Sequence, residues 1–316
     1  MPRPEYTLDF VRRSNLIVPL TDGGGQAFLA PAKGAWDSHP DAVTLDLEDG
    51  VPESRKAEAR AAVREAIPRA AAAASEVFLR VNPPFLHADL EAGIWEGVSG
   101  IVLPKVRTAR DVAAAARGLR EMEGRRGIRE GALEIIVLLG SALGVWNVRE
   151  IVSSDPRVTQ VGLGETDFCA DIGVWPSTSH DPLEFARGRM IIEATHAGVQ
   201  PVGIARPLDL VATDPGRDEV FKLATDGRNM GFKGVLCRDS SWVEPVNAAM
   251  TPAPELVEYY AQVREVFAQA VAAGTAAVPF AGRMIDVPVD EWAKDVLRRS
   301  AACRARDDEK RRALEA

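Results

Sequence analysis

Eight short apolar runs recur along the chain, at residues 16–20, 42–47, 77–81, 100–103, 133–139, 158–163, 199–204 and 233–237. Runs such as Leu133-Glu134-Ile135-Ile136-Val137-Leu138-Leu139 are nearly continuous and rich in β-branched residues. That composition suits parallel strands buried on both faces. The seventh run carries Pro201, which lacks a ladder donor and makes it the weakest of the set.

The stretches between the runs read as helices. Residues 52–66 open on proline and glutamate, a favourable first turn. Thr108-Ala109-Arg110-Asp111 has the form of a capping box with Asp in place of Glu. Asp181-Pro182-Leu183-Glu184 offers a cap, a first-turn proline and an acid for a helix running to His196, with Gly198 beyond it. Residues 217–230 can fill the space before the eighth strand. Strands alternating with helices imply right-handed βαβ crossovers, and eight such units of this α/β chain close most simply into a TIM (β/α)8 barrel. An open doubly wound sheet is the alternative. Residues 1–250 are therefore assigned to the barrel and 251–303 to a helical appendage or lid. The charge-dense residues 304–316 are expected to form a tail that frays or docks loosely.

Composition narrows the function. Hydrophobic residues make up 46% of 316, enough for one large core. A net charge of −8 argues against a nucleic-acid surface. Cys169, Cys237 and Cys303 have neither zinc nor disulfide spacing, and no apolar run approaches the roughly 20 residues of a membrane span. The first residues lack a signal-peptide pattern. These features point to a cytoplasmic protein that engages neither membrane nor nucleic acid.

In a barrel the C-terminal strand ends face the active site. Strand two ends in Asp46-Leu47-Glu48-Asp49-Gly50, strand three in Arg80-Val81-Asn82 and strand four in Pro104-Lys105. Strand six runs into Gly164-Glu165-Thr166-Asp167, strand seven is followed by Arg206, and strand eight by Arg238-Asp239. Arg80 can grip a carboxylate through paired hydrogen bonds. Carboxylates from several strands can hold Mg²⁺, which prefers oxygen and polarises a chelated carbonyl. This set suits a small carboxylate substrate.

The chain resembles the citrate lyase β-subunit-like family, within the HpcH/HpaI aldolase superfamily, which includes malyl-CoA and citramalyl-CoA lyases. The resemblance covers about residues 13–300 and is carried by Arg13-Ser14-Asn15-Leu16-Ile17-Val18-Pro19, Leu45-Asp46-Leu47-Glu48-Asp49, Leu79-Arg80-Val81-Asn82 and Leu103-Pro104-Lys105. It continues in Gly164-Glu165-Thr166-Asp167, Gly231-Phe232-Lys233-Gly234 and Gly282-Arg283-Met284-Ile285-Asp286. It implies a barrel, a homotrimer or hexamer, Mg²⁺, and cleavage of a carbon–carbon bond in a small hydroxy acid or its CoA thioester through an enolate. By the same resemblance, Glu48, Asp49 and Asp286 are catalytic. Glu48 and Asp49 would bond substrate or metal-bound water, and Asp286 would move a proton over a neighbouring subunit's site. Arg80, Asn82, Lys105 and Gly140 are the candidate substrate-binding residues. Asp167 would ligate the metal, with Glu165 able to assist.

The chain departs from the family pattern in three places. Gly140 stands where the family has a metal-binding Glu, Arg238-Asp239 where it has His-Pro, and Pro19-Leu20 where it has Pro-Gly. Altered chemistry, including metal-independent chemistry, and a non-catalytic binding relative are therefore alternatives. Structural roles are open as well: an Arg80–Glu48 ion pair, Asp49 as a helix cap, Asp167 and Asp286 as turn residues, and Lys105 as an ion-paired lysine rather than a Schiff base. Gly23-Gly24-Gly25 could contact a phosphate or form a plain loop. The four histidines show no metal spacing, and Cys169 and Cys237 read as packing residues.

Overall fold

A computed structural model of the chain describes residues 10–20, 38–72, 74–175, 180–206 and 215–315. The glycine run at 23–25 lies outside the described residues. Eight strands occur where the apolar runs stand: β1 (Ser14–Pro19), β2 (Ala42–Asp46), β3 (Glu76–Arg80), β4 (Gly100–Leu103), β5 (Glu134–Leu139), β6 (Val158–Leu163), β7 (Gln200–Val202) and β8 (Val235–Cys237). They pair in parallel in the order β7-β6-β5-β4-β3-β2-β1-β8. The ring closes through a single bridge, Val202 to Gly234, flanked by the Gly203 N–H to Gly234 carbonyl bond at 2.9 Å. Pro201 has no N–H to give, and the strand that carries it is only three residues long. The closed ring, wrapped in helices, is a TIM-type barrel rather than an open sheet.

Helices follow the strands around the ring. They are α1 (Lys56–Ala72), α2 (Leu86–Gly93), α3 (Ala109–Arg126), α4 (Ala142–Trp146), α5 (Val148–Val152), α6 (Glu165–Asp171), α7 (Glu184–Ala197), α8 (Arg217–Met230) and α9 (Val243–Met250). The Thr108–Asp111 capping box starts α3, and Gly198 ends α7 in the left-handed conformation at φ 76°. A large apolar layer packs the outer strand faces against the helices, while Ala42, Phe78, Val102, Ile136 and Leu138 form a smaller inner cluster.

The lower end of the barrel is plugged. Arg12 is buried, with its guanidinium over the rings of Phe10 and Phe78 at 4.4 and 4.3 Å. It bonds Glu76, Glu134 at 3.2 Å and Gln160 at 3.0 Å. This plug leaves the interior open toward the C-terminal strand ends.

The chain then adds α10 (Pro254–Ala272), a hairpin of β9 (Val278–Phe280) and β10 (Arg283–Ile285), and α11 (Val287–Glu315). A separate apolar cluster of Val263, Phe267, Ile285 and Ala293 joins them. The charged tail expected at 304–316 is instead the last part of α11 as far as Glu315, and it docks firmly. Asp307 pairs with buried Arg13, Lys310 reaches buried Asp41 at 2.9 Å, and Arg306 donates to the carbonyls of Asp41 and Ala74. These partners lie at the opposite end of the sequence, so the local charge density of the segment gave no sign of them. Among the described residues no helix is long and apolar enough to cross a membrane.

Candidate active site

A cavity of about 620 Å³ opens at the C-terminal strand ends. Its wall carries Asp46, Glu48, Asp49, Arg80 and Lys105 on the β2–β4 side, and Gly140, Glu165 and Asp167 on the β5–β6 side. Arg238 and Trp242 stand after β8, and Ile17, Leu138, Val202 and Leu236 supply apolar floor.

The charged wall is built on Asp46, which the sequence reading quoted but gave no role. Asp46 is fully buried at the end of β2. Its Oδ1 accepts the Glu48 N–H at 2.8 Å and its Oδ2 the Gly50 N–H at 3.0 Å, folding the chain into a tight turn. A Cβ at residue 50 would fall 2.6 Å from Asp46 Oδ2, so glycine is required there for space. The same carboxylate takes Arg80 Nε at 2.6 Å and Nη2 at 2.5 Å. The register explains the meeting, since Asp46 and Arg80 are direct partners across the β2–β3 ladder. Only Nη1 of Arg80 is left to face outward, 3.6 Å from Glu48 Oε2 and 3.8 Å from Asp49 Oδ2.

Lys105 closes the group. Its Nζ bonds Glu48 Oε1 at 2.5 Å and Asp49 Oδ1 at 3.2 Å. Its backbone sits at φ 56°, a left-handed conformation unfavourable for any residue with a Cβ. The two carboxylates are pushed apart in acidity. Burial raises Glu48 above the usual carboxylate range, despite Lys105 and Arg80. Burial also acts upward on Asp49, but Arg80, the bond with Glu48 and Lys105 outweigh it and hold Asp49 low. Lys105 is itself raised: burial opposes its charge, but Glu48 and Asp49 prevail. A lysine so firmly protonated suits ion pairing and not Schiff-base formation.

Across the cavity, Asp167 lies in the first turn of α6. Burial raises its carboxyl, with Lys105 and Arg80 acting in the other direction and Asp49 reinforcing the rise. A Cβ at Gly140 would stand 3.0 Å from Asp167 Cβ and 3.3 Å from Oδ2, so the Asp167 side chain lies directly over the glycine.

Several expected residues are placed differently. Asn82 is not in the cavity wall. Its Oδ1 takes Lys56 Nζ at 2.6 Å, and its Nδ2 donates to the Leu47 carbonyl at 2.7 Å and to Asp89 at 2.9 Å. It is a buried brace, because β3 ends at Arg80 and Asn82 lies past the strand, at the start of the turn Pro83–Phe85, where it meets Lys56 and Asp89. Lys56, which no sequence signal marked, also donates to the carbonyls of Leu47, Glu48 and Val51, and so supports the acidic turn from beneath. Glu165 reaches the wall, but its Oε1 accepts Arg187 Nε at 2.7 Å, and Arg187 is fully buried. That pairing engages one of its carboxylate oxygens in the fold. Asp286 does not line the cavity of its own chain and caps α11 through the Val289 N–H at 3.3 Å. Asp49 caps no helix, since the turn after Pro52 has no side-chain cap. Arg206 is absent from the wall, whereas Arg238 is in it. His87 is exposed on α2, and the three cysteines are buried thiols, with Cys237 pushed far up by burial.

The donor set suits a hard cation in part. Asp167 has no hydrogen bond or ion pair among the described residues, and Glu48 Oε2 is buried without a hydrogen-bond partner there. Among the described residues no three His, Cys, Asp or Glu side chains cluster as a ready-made metal cage. A magnesium ion could still be carried on one or two carboxylates, with water and substrate oxygens completing its shell.

The chain is 29% identical over 294 residues to citrate lyase subunit beta of Haemophilus influenzae, covering 92% of this chain and 97% of that one. It is 32% identical over 284 residues to a citrate lyase subunit beta-like protein of Deinococcus radiodurans, covering 84% and 90%. Its fold matches a crystal structure of protein CitE of Mycobacterium tuberculosis in complex with magnesium, acetoacetate and coenzyme A, with a TM-score of 0.69, 25% identity, and coverage of 93% and 99%. Members of this family are carbon–carbon lyases. Residues 30–240 match the family description itself, and the chain belongs to the HpcH/HpaI aldolase/citrate lyase family.

Proposed function

We propose that the chain cleaves, or in reverse forms, a carbon–carbon bond in a small hydroxy acid or its CoA thioester, yielding an enolisable acyl fragment and an oxo acid. The observation that carries this reading is the Arg80 guanidinium, held on two nitrogens by Asp46 and offering Nη1 at the cavity beside Glu48 and Asp49. A fixed guanidinium is preorganised to receive a substrate carboxylate without paying to order itself.

In the cleavage direction a base removes the hydroxyl proton. The electron pair of the carbon–carbon bond passes to the acyl fragment as an enolate, and the hydroxyl carbon becomes the carbonyl of the oxo acid. A proton delivered to the enolate carbon completes the balance. Two carboxyls pushed apart in acidity suit such exchange, with Glu48 inclined to hold a proton and Asp49 to stay ionised. Lys105 holds both in place and offsets their charge. Asp167 would carry magnesium, which when bound supplies polarisation of the carbonyl oxygen. Arg238 and the apolar wall leave room beyond a small acid, which supports a thioester arm in the cavity.

Asp286 would act in a neighbouring subunit of a homotrimer or hexamer. The exposed Met284, Val287 and Trp292 around it support a contact surface there. Purified protein incubated with malyl-CoA, citramalyl-CoA and citryl-CoA, with release of glyoxylate, pyruvate or oxaloacetate followed, tests the reading. Turnover of at least one is expected. No turnover of any, with and without Mg²⁺, would overturn it.

A further inference from the structure

We infer that a divalent cation enters this site only together with the oxo acid, because Asp167 is the one carboxylate of the wall not already engaged by a cation among the described residues. The inference rests on the lyase reading and adds to it an order of dependence between two ligands.

Magnesium demands six oxygens near octahedral geometry and sheds its water reluctantly. The wall offers few. Glu165 is two residues from Asp167, but it is bound to Arg187, a fully buried guanidinium that also pairs with Asp181. Withdrawing Glu165 would strip that buried charge of one of its two carboxylates. Glu48 and Asp49 each give an oxygen to Lys105, and the second oxygen of each faces Arg80 Nη1 at 3.6 and 3.8 Å. Gly140 brings no donor, and Asp167 covers it. Lys105 and Arg80 also line the same cavity, and their positive charges repel a bare dication.

A 2-oxo acid changes each of these terms. It brings a carboxylate and a carbonyl oxygen to the ion as one chelate, so two missing ligands arrive at once. Its negative charge lowers the net charge that must face Lys105 and Arg80. The outer carboxylate oxygen is then the natural partner for Arg80 Nη1. Linkage makes the effect mutual: whatever factor the acid adds to cation affinity, the cation adds to acid affinity.

Equilibrium dialysis of the purified protein with Mn²⁺ and oxalate, a dianion that chelates through two of its oxygens and is shaped like an oxo acid's enolate, tests this. Manganese retained with the protein is counted with and without oxalate, and labelled oxalate with and without manganese, after correction for the complex free in solution. Each ligand is expected to bind at least about tenfold more tightly when the other is present. Equal manganese binding without oxalate overturns the inference. Oxalate binding indifferent to manganese also overturns it, while leaving the lyase reading in place. Failure of both ligands, alone and together, removes the lyase reading and the inference with it. Gly140→Glu supplies the missing carboxylate, and this variant is expected to retain manganese alone, with the oxalate effect diminished. Gly140→Ala serves as its control for the space a Cβ needs over Asp167. If neither variant folds, the wild-type dialysis decides.

Discussion

Asp46 receives two parallel hydrogen bonds from the Arg80 guanidinium, at 2.6 and 2.5 Å, while its two oxygens also hold the backbone N–H groups of Glu48 and Gly50. One buried carboxylate thus sets both the direction of the arginine and the shape of the acidic turn. Asp46→Ala leaves a mostly buried guanidinium without its main counter-ion, and stability should fall by about 3–5 kcal/mol in chemical denaturation. Asp46→Asn keeps the shape, and in that variant binding of a small oxo acid should weaken before the fold does. Unchanged oxo acid affinity in a folded Asp46→Asn protein would show that Arg80 is held by something else.

Lys105 adopts φ 56° and places its ammonium on Glu48 and Asp49. Removing the side chain and removing the strain can be separated. Lys105→Gly and Lys105→Ala lose the same ion pairs, but only alanine keeps the left-handed penalty. Lys105→Gly should therefore be the more stable by about 1 kcal/mol, read from denaturation midpoints. Both should lose activity, since Glu48 and Asp49 would no longer be held in place by the ammonium.

The pair Glu48 and Asp49 makes opposite contributions to the pH dependence of stability. Glu48 is raised in the folded state, so its contribution is complete below the ordinary carboxylate range and is lost as pH rises through its folded value. Asp49 is lowered, so its contribution is present above that range and is lost as pH falls through its folded value. Glu48→Gln removes the first effect. Relative to wild type, its melting temperature should improve as pH rises from about 4.5 toward neutrality. A melting temperature that instead falls relative to wild type over that range would mean that Lys105 keeps Glu48 charged.

The last turns of α11 seal the lower end of the barrel, where Lys310 and Arg13 share the buried carboxylate of Asp41. Arg13 and Lys310 overcome the upward effect of burial and hold Asp41 well below the usual carboxylate range. Its stabilising share is present above that range and is lost as pH falls through its folded value. Lys310→Met should lower stability by about 1.5–3 kcal/mol at neutral pH, with a smaller difference in acid. Deleting 304–316 should lower it further, because Arg13 also loses Asp307. Thermal melts across pH check both.

Asp286 caps α11 on its own chain and stands away from its own cavity wall. If it serves a neighbouring subunit, Asp286→Asn and Arg80→Ala should each be inactive alone and regain part of the activity when co-assembled. Mixed assemblies that stay inactive would assign Asp286 to the cap alone. Light scattering on the same samples gives the assembly size.

The barrel was legible because its strands are a local pattern. Apolar runs separated by helix signals required no knowledge of what they would touch, and all eight strands stand where the runs do. The acids and bases at the strand ends were legible for the same reason, since the barrel topology alone sends Glu48, Asp49, Arg80, Lys105 and Asp167 to one rim. Asp46, Lys56 and the true partners of Asn82 and Glu165 were not legible. Each depends on which neighbour a side chain meets across a ladder or beneath a turn, and pairing partners are separated by tens of residues.

The sequence by itself therefore determined the order of strands and helices, the family pattern and the rim on which chemistry gathers, because these follow from periodicity and from where each strand ends. Only the tertiary structure decided which charges are free to meet a substrate and which are spent on the fold. Glu165 is taken by Arg187, the tail of α11 by Arg13 and Asp41, and two nitrogens of Arg80 by Asp46. A buried charge must find a counter-charge, and only the closed barrel settles which ones lie within reach.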